Sequence, residues 1–323
     1  MTLTKNVVLG IDIGGTNTKI GLVDEAGKLI GSTSFPTGAK EQIRHFFDQL
    51  KRQADQLLKN VGNEYRLVSI GIGAPNANEM TGNMEHPPNF NWGDTIPLAS
   101  TVEGLFNLPV TITNDANAAA LGELKFGIAK GMKNFIVLTL GTGLGSGIIV
   151  NGQLLKGAHG MAGEMGHMSV KSKGRKCNCG LRGCLETYAS VTGVKRTVFK
   201  MIAEMSDESL LRSLSFEEMT GEIIATAALN KDPIALAAFE YSGNILGSKM
   251  ADIAACFDPE AIILSGGLTK AGNILLKPVV DSMERNLFVA YKGKIKVLLS
   301  HDSTGDGVLG AAALGWEIEP SIV

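Results

Sequence analysis

The sequence predicts an α/β protein that contains two copies of one strand-and-turn arrangement. Residues 7–30 and residues 135–155 each read as an apolar strand, a glycine-rich turn and two further strands. Elsewhere, short apolar strand segments alternate with segments of helical periodicity, which is typical of sheets that helices cover on both faces. The 323 residues are enough for two domains with separate cores. Together these observations predict a duplicated α/β fold.

Composition and charge indicate a globular protein without a polyanionic partner. Hydrophobic residues make up 44% of the chain and charged residues 19%, which is far from the polar composition of disordered proteins. The 30 basic and 32 acidic side chains leave a net charge of −2, so we expect neither nucleic acid nor membrane as a partner. The apolar residues 7–11 are too short for a signal peptide, and no run approaches a membrane span. We therefore expect a cytoplasmic protein.

Turn residues and periodicity place the individual elements. The predicted strands are residues 7–13, 19–23 and 28–30 in the first copy, residues 135–140, 148–150 and 153–155 in the second, and residues 67–72, 110–113, 261–264 and 295–299 elsewhere. The predicted helices are residues 43–58, 233–258, 274–285 and 308–316. Residues 73–94 are rich in Asn, Pro and Gly and are predicted to be a long loop, which is either functional or a poorly constrained surface excursion.

The two glycine-rich turns are candidate phosphate-binding sites, because glycine lets backbone N–H groups approach a phosphate closely and threonine hydroxyls add hydrogen bonds. The candidate residues are Asp12, Gly14, Gly15, Thr16, Thr18 and Lys19 at the first turn, and Gly141, Thr142 and Gly143 at the second. Asp12 ends an apolar strand, where a carboxylate needs a partner such as Mg²⁺. Neither turn has the P-loop pattern, and neither leads into the helix that a dinucleotide fold requires. Tight hairpins without a ligand are the alternative.

Asn114 and Asp115 follow the strand predicted at residues 110–113 and open an alanine-rich helical run. Asn and Asp are preferred N-cap residues, so a plain helix cap is one interpretation. A general base is the other, because α/β sheets bind ligands at the carboxyl ends of their strands. The residues alone leave both interpretations open.

Three of the four cysteines lie close together and follow a histidine. His167 and the C-x-C-x4-C pattern of Cys177, Cys179 and Cys184 supply one nitrogen and three sulfurs, which is the donor set of a closed structural zinc site. In a cytosolic chain, such a cluster indicates metal before disulfide. The lone Cys256 lies in an apolar segment and is predicted to be a small buried side chain.

Glu164 and Glu186 flank this metal-binding pattern. Carboxylates that are fixed on a metal-stapled loop can accept hydrogen bonds from a polyhydroxylated ligand. Ordinary surface glutamates are the alternative.

These motifs together resemble those of the ROK family (repressors, open reading frames, kinases), and the resemblance covers nearly the whole chain. The matching segments are residues 12–16 and 140–147 for the two phosphate motifs, residues 164–167 and 177–186 for the signature, and residues 263–268 for the Gly-Gly adenosine motif. One departure is Pro75-Asn76, where many members have Pro-Gly.

The resemblance implies a duplicated actin-like (ribonuclease H-like) ATPase fold with two lobes around a nucleotide cleft. On this basis we expect a smaller lobe at residues 1–113 and a larger lobe at residues 114–303 that carries the zinc-binding loop. A C-terminal helix at about residues 304–323 can pack back on the smaller lobe.

The resemblance also implies an activity, namely transfer of the ATP γ-phosphoryl group to the 6-hydroxyl of a hexose, with Asp115 as the base. It assigns sugar contacts to Gly73, Asn89, Asn114, Asp115, Glu164, His167 and Glu186, and the adenosine side to Gly266 and Gly267. The implied cofactors are ATP, Mg²⁺ and structural zinc, and the implied assembly is a homodimer or homotetramer. Repressors of the family place a DNA-binding domain before the first phosphate motif. Only about ten residues precede that motif in this sequence, so we expect a kinase.

Glucose is the favoured substrate, because Glu164 and Glu186 suit free hydroxyl groups. N-acetylglucosamine, N-acetylmannosamine, mannose and fructose are alternatives within the kinase interpretation. A catalytically silent sugar sensor is an alternative of another class, although such a protein need not keep both Asp12 and Asp115. A chaperone-like ATPase is disfavoured, since it has no use for carboxylates beside a metal site.

Overall fold

The computed structural model describes residues 4–301 and 307–318, and the chain forms two compact units. Unit 1 comprises Met1–Gly131, Leu154–Ala162 and His301–Val323, and unit 2 comprises Met132–Gln153 and Gly163–Ser300. None of the helices in the described ranges combines the length and the hydropathy that a membrane span requires.

Strands and α-helices alternate through much of the chain. The strands are β1 (Lys5–Ile13), β2 (Asn17–Val23), β3 (Leu29–Pro36), β4 (Tyr65–Gly73), β5 (Ala77–Asn78), β6 (Asn83–Glu85), β7 (Thr95–Ile96), β8 (Val110–Thr113), β9 (Phe135–Leu140), β10 (Leu144–Val150), β11 (Gln153–Leu154), β12 (Ala261–Ser265) and β13 (Lys296–Leu299). The α-helices are α1 (Ile43–Val61), α2 (Leu98–Phe106), α3 (Asp115–Lys125), α4 (Glu186–Ala189), α5 (Val191–Glu204), α6 (Gly221–Leu229), α7 (Pro233–Phe257), α8 (Asn273–Asn286) and α9 (Gly307–Gly315).

Each unit contains a sheet of five strands, and the two sheets have the same plan. The strand order is β3-β2-β1-β4-β8 in unit 1 and β11-β10-β9-β12-β13 in unit 2, although Leu154, the second residue of β11, is grouped with unit 1. In both sheets the first strand of the copy pairs antiparallel with the next strand and parallel with a strand that arrives after a helix. The duplication predicted from the two glycine turns is therefore confirmed.

Alternating residues of β1 face two different helices in unit 1. Val7, Leu9 and Ile11 are fully buried in one core with the apolar face of α1, whereas Val8 is buried in a second cluster with Val308 of α9. This alternation follows from the two-residue period of a strand. The sheet of unit 1 is therefore covered on both faces, as the sequence predicts.

Helix α9 lies directly on strands β1 and β4, and two glycines make this approach possible. A Cβ atom on Gly10 would collide with the carbonyl oxygen of Val308, and one on Gly71 with that of Ala311. The hydroxyl of Ser69 donates a hydrogen bond of 2.8 Å to the carbonyl oxygen of Gly315. Residues 304–306 and 319–323 of the predicted C-terminal helix lie outside the described residues.

The grouping of the chain differs from the predicted lobe boundary at residues 113–114. Unit 1 continues to Gly131, since α3 packs on α9, where a Cβ atom on Gly122 would lie 3.0 Å from the Cα of Gly310. Unit 1 also takes in Leu154–Ala162, which the predicted lobes had assigned to the larger one.

Two predictions about local structure are wrong. Residues 73–94 are not a continuous loop, because β5 and β6 form a three-stranded sheet with β7. These strands have two or three residues each, which is too short to show a periodic pattern. Cys256 is exposed rather than buried, because it lies near the end of α7 on a side of the helix away from the buried Ile253 and Ala254.

Candidate functional site

The first glycine turn joins β1 to β2 and is held by a residue directly after β3. Thr37 donates its hydroxyl to the carbonyl oxygen of Gly14 at 2.7 Å, and its N–H to the carbonyl oxygen of Thr16 at 2.9 Å. The hydroxyls of Thr18 and Thr37 are 2.9 Å apart, and both residues are buried, so Thr18 supports the turn from inside and does not face a ligand as the sequence predicted. Gly15 and Thr16 remain exposed, so the outer side of this turn is accessible to a ligand.

Asp12 lies at the end of β1, opposite Lys19 of β2 in the strand register. Its half-buried carboxylate also lies against the first residue of α9, since a Cβ atom on Gly307 would collide with it. The N-terminal end of a helix carries partial positive charge and favours a carboxylate. The carboxylate of Asp12 therefore lies between the first turn and the start of α9.

The structure assigns the helix cap to Asn114 and leaves Asp115 as the candidate base. Asn114 is the N-cap of α3, and its Oδ1 accepts the N–H of Asn117 at 2.7 Å. The Oδ1 of Asp115 accepts the N–H of Ala116 at 2.9 Å. Asp115 is thus not needed as the cap and is available for chemistry.

The side chain of Asp115 is accessible to solvent, yet enough protein surrounds it to perturb its titration. Desolvation raises the pKa of its carboxyl above the usual range, against the N–H groups of Ala116 and of Asp115 itself, which lower it. A raised pKa makes the carboxylate a stronger base near neutral pH. Gly73, at the end of β4, lies next to this residue, because a Cβ atom there would be 3.9 Å from the Cα of Asp115.

The segment after Gly73 keeps the backbone that glycine would give it. Asn76 has φ 53°, a left-handed conformation that Asn adopts more readily than most residues. Its side-chain amide donates to the carbonyl oxygen of His86 at 3.0 Å. The departure at Pro75-Asn76 therefore leaves the turn intact. Asn89 is exposed, also with a positive φ of 69°.

The second glycine turn joins β9 to β10 in unit 2, and a distant segment holds it. Val191 donates its N–H to the carbonyl oxygen of Gly141 at 2.8 Å, and the hydroxyl of Thr192 donates to the carbonyl oxygen of Thr142 at 2.8 Å. The N–H of Leu144 donates to Oε2 of Glu186 at 3.0 Å. Residues 186–192 therefore fix the shape of this turn.

Gly266 and Gly267 follow β12 and lie beside the same turn. Gly266 has φ 99°, and a Cβ atom there would lie 2.6 Å from the carbonyl oxygen of Leu140, the residue before the turn. Only glycine satisfies both the positive φ and this close approach. The structure thus brings the two glycine motifs of unit 2 together.

The predicted metal ligands are gathered in one place. One donor atom each from His167, Cys177, Cys179 and Cys184 lies within 4.8 Å of the others. Cys179 Sγ is 3.7 Å from Cys184 Sγ, and Cys177 Sγ is 3.8 Å from His167 Nδ1. Zn–S bonds of about 2.3 Å in a tetrahedron place two sulfurs roughly 3.8 Å apart, so the donor set fits zinc.

The surroundings of the cluster define the roles of its neighbours. Glu164 Oε2 lies 3.8 Å from Nε2 of His167, on the ring side away from the cluster, where a carboxylate orients a metal-bound histidine. Burial raises the pKa of the Cys177 thiol to about 12. A metal ion must displace this proton, so its affinity increases with pH.

Arg175 is a structural residue that the sequence motifs did not reveal. Its Nη1 donates to the carbonyl oxygens of Thr187 at 2.8 Å and Gly193 at 2.9 Å, and its guanidinium lies 4.6 Å from the ring centroid of Tyr188. It therefore joins α4 and α5 to the metal-binding hairpin, residues 169–184, which carry the candidate cysteine ligands and are closed by bridges between Ser169 and Cys184 and between Lys176 and Arg182. Arginine next to a cysteine motif has no spacing signal that separates it from the other basic residues there.

The candidate residues are divided between the two units. Unit 1 holds Asp12, Gly14, Gly15, Thr16, Lys19, Gly73, Asn89, Asn114 and Asp115, and unit 2 holds Gly141, Thr142, Gly143, Glu164, His167, Glu186, Gly266, Gly267 and the three cysteines of the cluster. Each unit thus contains one glycine turn and part of the candidate sugar-binding set.

Comparison with known proteins decides what these motifs belong to. The pattern that describes the ROK family matches residues 8–317. The chain belongs to the ROK family. Among ROK relatives, the glucokinase of Halalkalibacterium halodurans is 35% identical over 320 residues, covering 96% of this chain and 94% of that protein. The glucokinase of Streptomyces coelicolor is 36% identical over 321 residues, covering 97% of this chain and 99% of that protein.

A solved ROK structure has the same fold. It is a ROK family glucokinase from Streptomyces griseus in complex with glucose and AMPPNP, and it is 33% identical to this chain with a TM-score of 0.84. The match covers 97% of this chain and 100% of the Streptomyces griseus chain. The duplicated actin-like sugar kinase fold expected from the ROK resemblance is therefore confirmed.

Proposed function

We propose that this protein transfers the γ-phosphoryl group of ATP to the 6-hydroxyl of glucose. The observation that carries the proposal is the full-length similarity to a ROK glucokinase that binds glucose and AMPPNP. An accessible carboxylate at the end of a sheet strand, Asp115, supports it.

Asp115 is the proposed catalytic base. Phosphoryl transfer depends mostly on positioning and on stabilisation of charge, so the base has one task, to accept the proton of the attacking hydroxyl. The raised pKa of Asp115 suits it to that task. Asn114 keeps the start of α3 capped, which fixes the backbone on which the base is carried.

The glycine turns are proposed to bind the phosphates through backbone N–H groups. Gly14, Gly15 and Thr16 supply the first turn, and Gly141, Thr142 and Gly143 the second, while Gly266 and Gly267 form the adenosine side. Asp12 and Lys19 are proposed to interact with the phosphates and their Mg²⁺, which would neutralise charge on the transferring group. The start of α9, where partial positive charge favours an anion, lies against the carboxylate of Asp12.

The hexose is proposed to contact Gly73, Asn89, Asn114, Asp115, Glu164, His167 and Glu186. Carboxylates accept hydrogen bonds from hydroxyl groups, and a site built on such bonds discriminates strongly against a ligand that lacks them. The Cys₃His cluster is proposed to hold a structural zinc ion, bound by His167, Cys177, Cys179 and Cys184, which would fix the hairpin that carries these groups. A cytoplasmic location and assembly into a dimer or tetramer stay predictions.

The test is an ADP-release assay with glucose, N-acetylglucosamine, N-acetylmannosamine, mannose and fructose at equal concentrations. We expect glucose to give the highest kcat/KM. Preference for an N-acetylated sugar, mannose or fructose would overturn glucose and keep the kinase. No sugar-stimulated ADP release from any of the five would overturn the kinase in favour of a sugar sensor.

A further inference from the structure

Glu186 touches two functional groups of unit 2 at once. Its Oε2 accepts the N–H of Leu144 in the second glycine turn at 3.0 Å, and its Oε1 lies 3.5 Å from Sγ of Cys177 in the metal cluster. The carboxylate also packs against Gly143, where a Cβ atom would collide with it. One half-buried side chain thus spans the distance between the cluster and the turn.

The segment that carries Glu186 is anchored on its other side. Arg175, in the metal-binding hairpin, bonds to the carbonyl oxygens of Thr187 and Gly193. Its backbone N–H donates to the hydroxyl of Tyr188 at 3.1 Å. These bonds hold α4 and the start of α5 to the hairpin, so the backbone that carries Glu186 is fixed beside the turn.

The charge of Glu186 makes its position informative. A carboxylate beside a turn that binds phosphate repels the phosphate. Its placement therefore weakens nucleotide binding unless the hydrogen bond to Leu144 contributes a favourable term that offsets the repulsion. A bond from an N–H to a charged acceptor is stronger than one between neutral groups. It fixes the N–H groups of the turn before the ligand arrives, which lowers the ordering cost of binding.

We infer that Glu186 is a positioning residue for the nucleotide, whose carboxylate fixes the second glycine turn and thereby couples hexose affinity to nucleotide affinity. The coupling rests on the proposed function, in which the same side chain contacts the hexose. A ligand on the carboxylate changes its bond to Leu144, so each substrate alters the affinity of the other by the same factor.

The experiment measures the Kd of AMPPNP with Mg²⁺ by titration calorimetry in the absence of sugar. Glu186→Ala and Glu186→Asp should both weaken binding about tenfold, since neither side chain reaches Leu144. Glu186→Gln keeps an oxygen acceptor and weakens the bond, but it also removes the repulsion of phosphate, so its Kd should stay within about twofold. The matched control is Glu260→Ala. Glu260 Oε1 accepts the N–H groups of Lys133 and Asn134 at 2.7 and 2.9 Å at the other end of β9, and its loss should leave the Kd unchanged.

Two results would overturn the inference. If Glu186→Ala and Glu186→Gln both bind AMPPNP more tightly, the carboxylate only repels phosphate. If Glu186→Asp has an unchanged Kd, the bond to Leu144 does not contribute to nucleotide binding. Zinc content and Tm are measured for each variant to check that it folds. If Glu186→Ala does not fold, the Kd of Glu186→Asp is compared with that of the wild type instead. Adding glucose should then tighten AMPPNP binding at least about fivefold in the wild type and not in Glu186→Asp. A wild type that binds AMPPNP but not glucose contradicts the proposed function and leaves the sugar-free comparison valid.

Discussion

The two glycine turns occupy the same place in the same arrangement of strands, yet they are supported differently. The first turn is held by Thr37, which follows β3 of its own copy, 23 residues after Gly14. The second is held by Glu186 and Thr192, which lie 42 and 50 residues beyond the positions that they bond. The duplicated sheet therefore sets where a turn lies, and the chain that follows sets what holds it.

Because the two turns are supported differently, they should respond differently to loss of the metal cluster. Support of the first turn is local, so it should not respond to the metal cluster. Support of the second turn comes from residues that follow directly on Cys184, so it should fail when the cluster fails. Substitutions that act on one unit and leave the other unchanged test this contrast.

The largest effect is expected from Asp115→Asn in unit 1. The variant keeps the shape of the side chain and removes its basic lone pair, so kcat should fall by roughly 10²–10⁴ while the Kd for AMPPNP stays within twofold. Steady-state kinetics and calorimetry check both values. The control is Asp232→Asn, an N-cap of α7 in unit 2, which should keep its kcat. Retention of most of the activity by Asp115→Asn would remove Asp115 as the base.

Loss of the metal cluster in unit 2 should weaken glucose binding about 100-fold. It should also lower the Tm and weaken the binding of AMPPNP. Cys179→Ser removes one of four ligands, and a structural zinc site contributes directly to folding. Elemental analysis of chelator-washed protein should find one zinc per chain in the wild type and in Cys256→Ser, whose cysteine is exposed outside the cluster. Zinc-free wild-type protein with full activity would contradict the structural metal.

The pH dependence of kcat/KM should report the base in unit 1. Asp115 must be ionised to accept a proton, so the rate falls about tenfold per unit as pH drops below its pKa. Since desolvation raises that pKa, the acid limb should lie above the ordinary aspartate value of about 3.9. The limb should vanish in Asp115→Asn. A limb at or below pH 4, or one that persists in the variant, would assign the profile to another group.

The smallest effect is expected from Thr37→Val, which keeps the volume of the side chain and removes the hydroxyl that bonds Gly14. A hydrogen bond of this kind contributes about 1 kcal/mol, so KM for ATP should rise roughly fivefold. Zinc content should not change, because support of the first turn does not involve the cluster. Thr192→Val is the matched variant at the second turn. An unchanged KM in Thr37→Val would mean that the turn keeps its shape without this bond.

The sequence predicted the features that depend on residue type and short spacing. Strand periodicity identified both copies, and the donors His167 and Cys177 to Cys184 identified the cluster, since these properties are local. Thr37 and Arg175 were not predicted, because their roles depend on which carbonyl oxygens the fold brings near them. The exposure of Cys256 was mispredicted for a related reason, since an apolar neighbourhood in sequence does not determine the face of a helix on which a residue lies.

The contact of α9 with strands β1 and β4 has a consequence for protein synthesis. Ser69 bonds to Gly315, which is 246 residues away, and Val8 and Val23 are buried in one cluster with Val308, Leu309 and Ala312 of α9. A ribosome makes all of Gly163–Ser300, the larger part of unit 2, before it makes that helix. The α9 side of the first sheet therefore stays incompletely covered until the residues of α9 have been synthesised. Helix α9 thus completes a sheet face that begins with β1, the first strand of the unit.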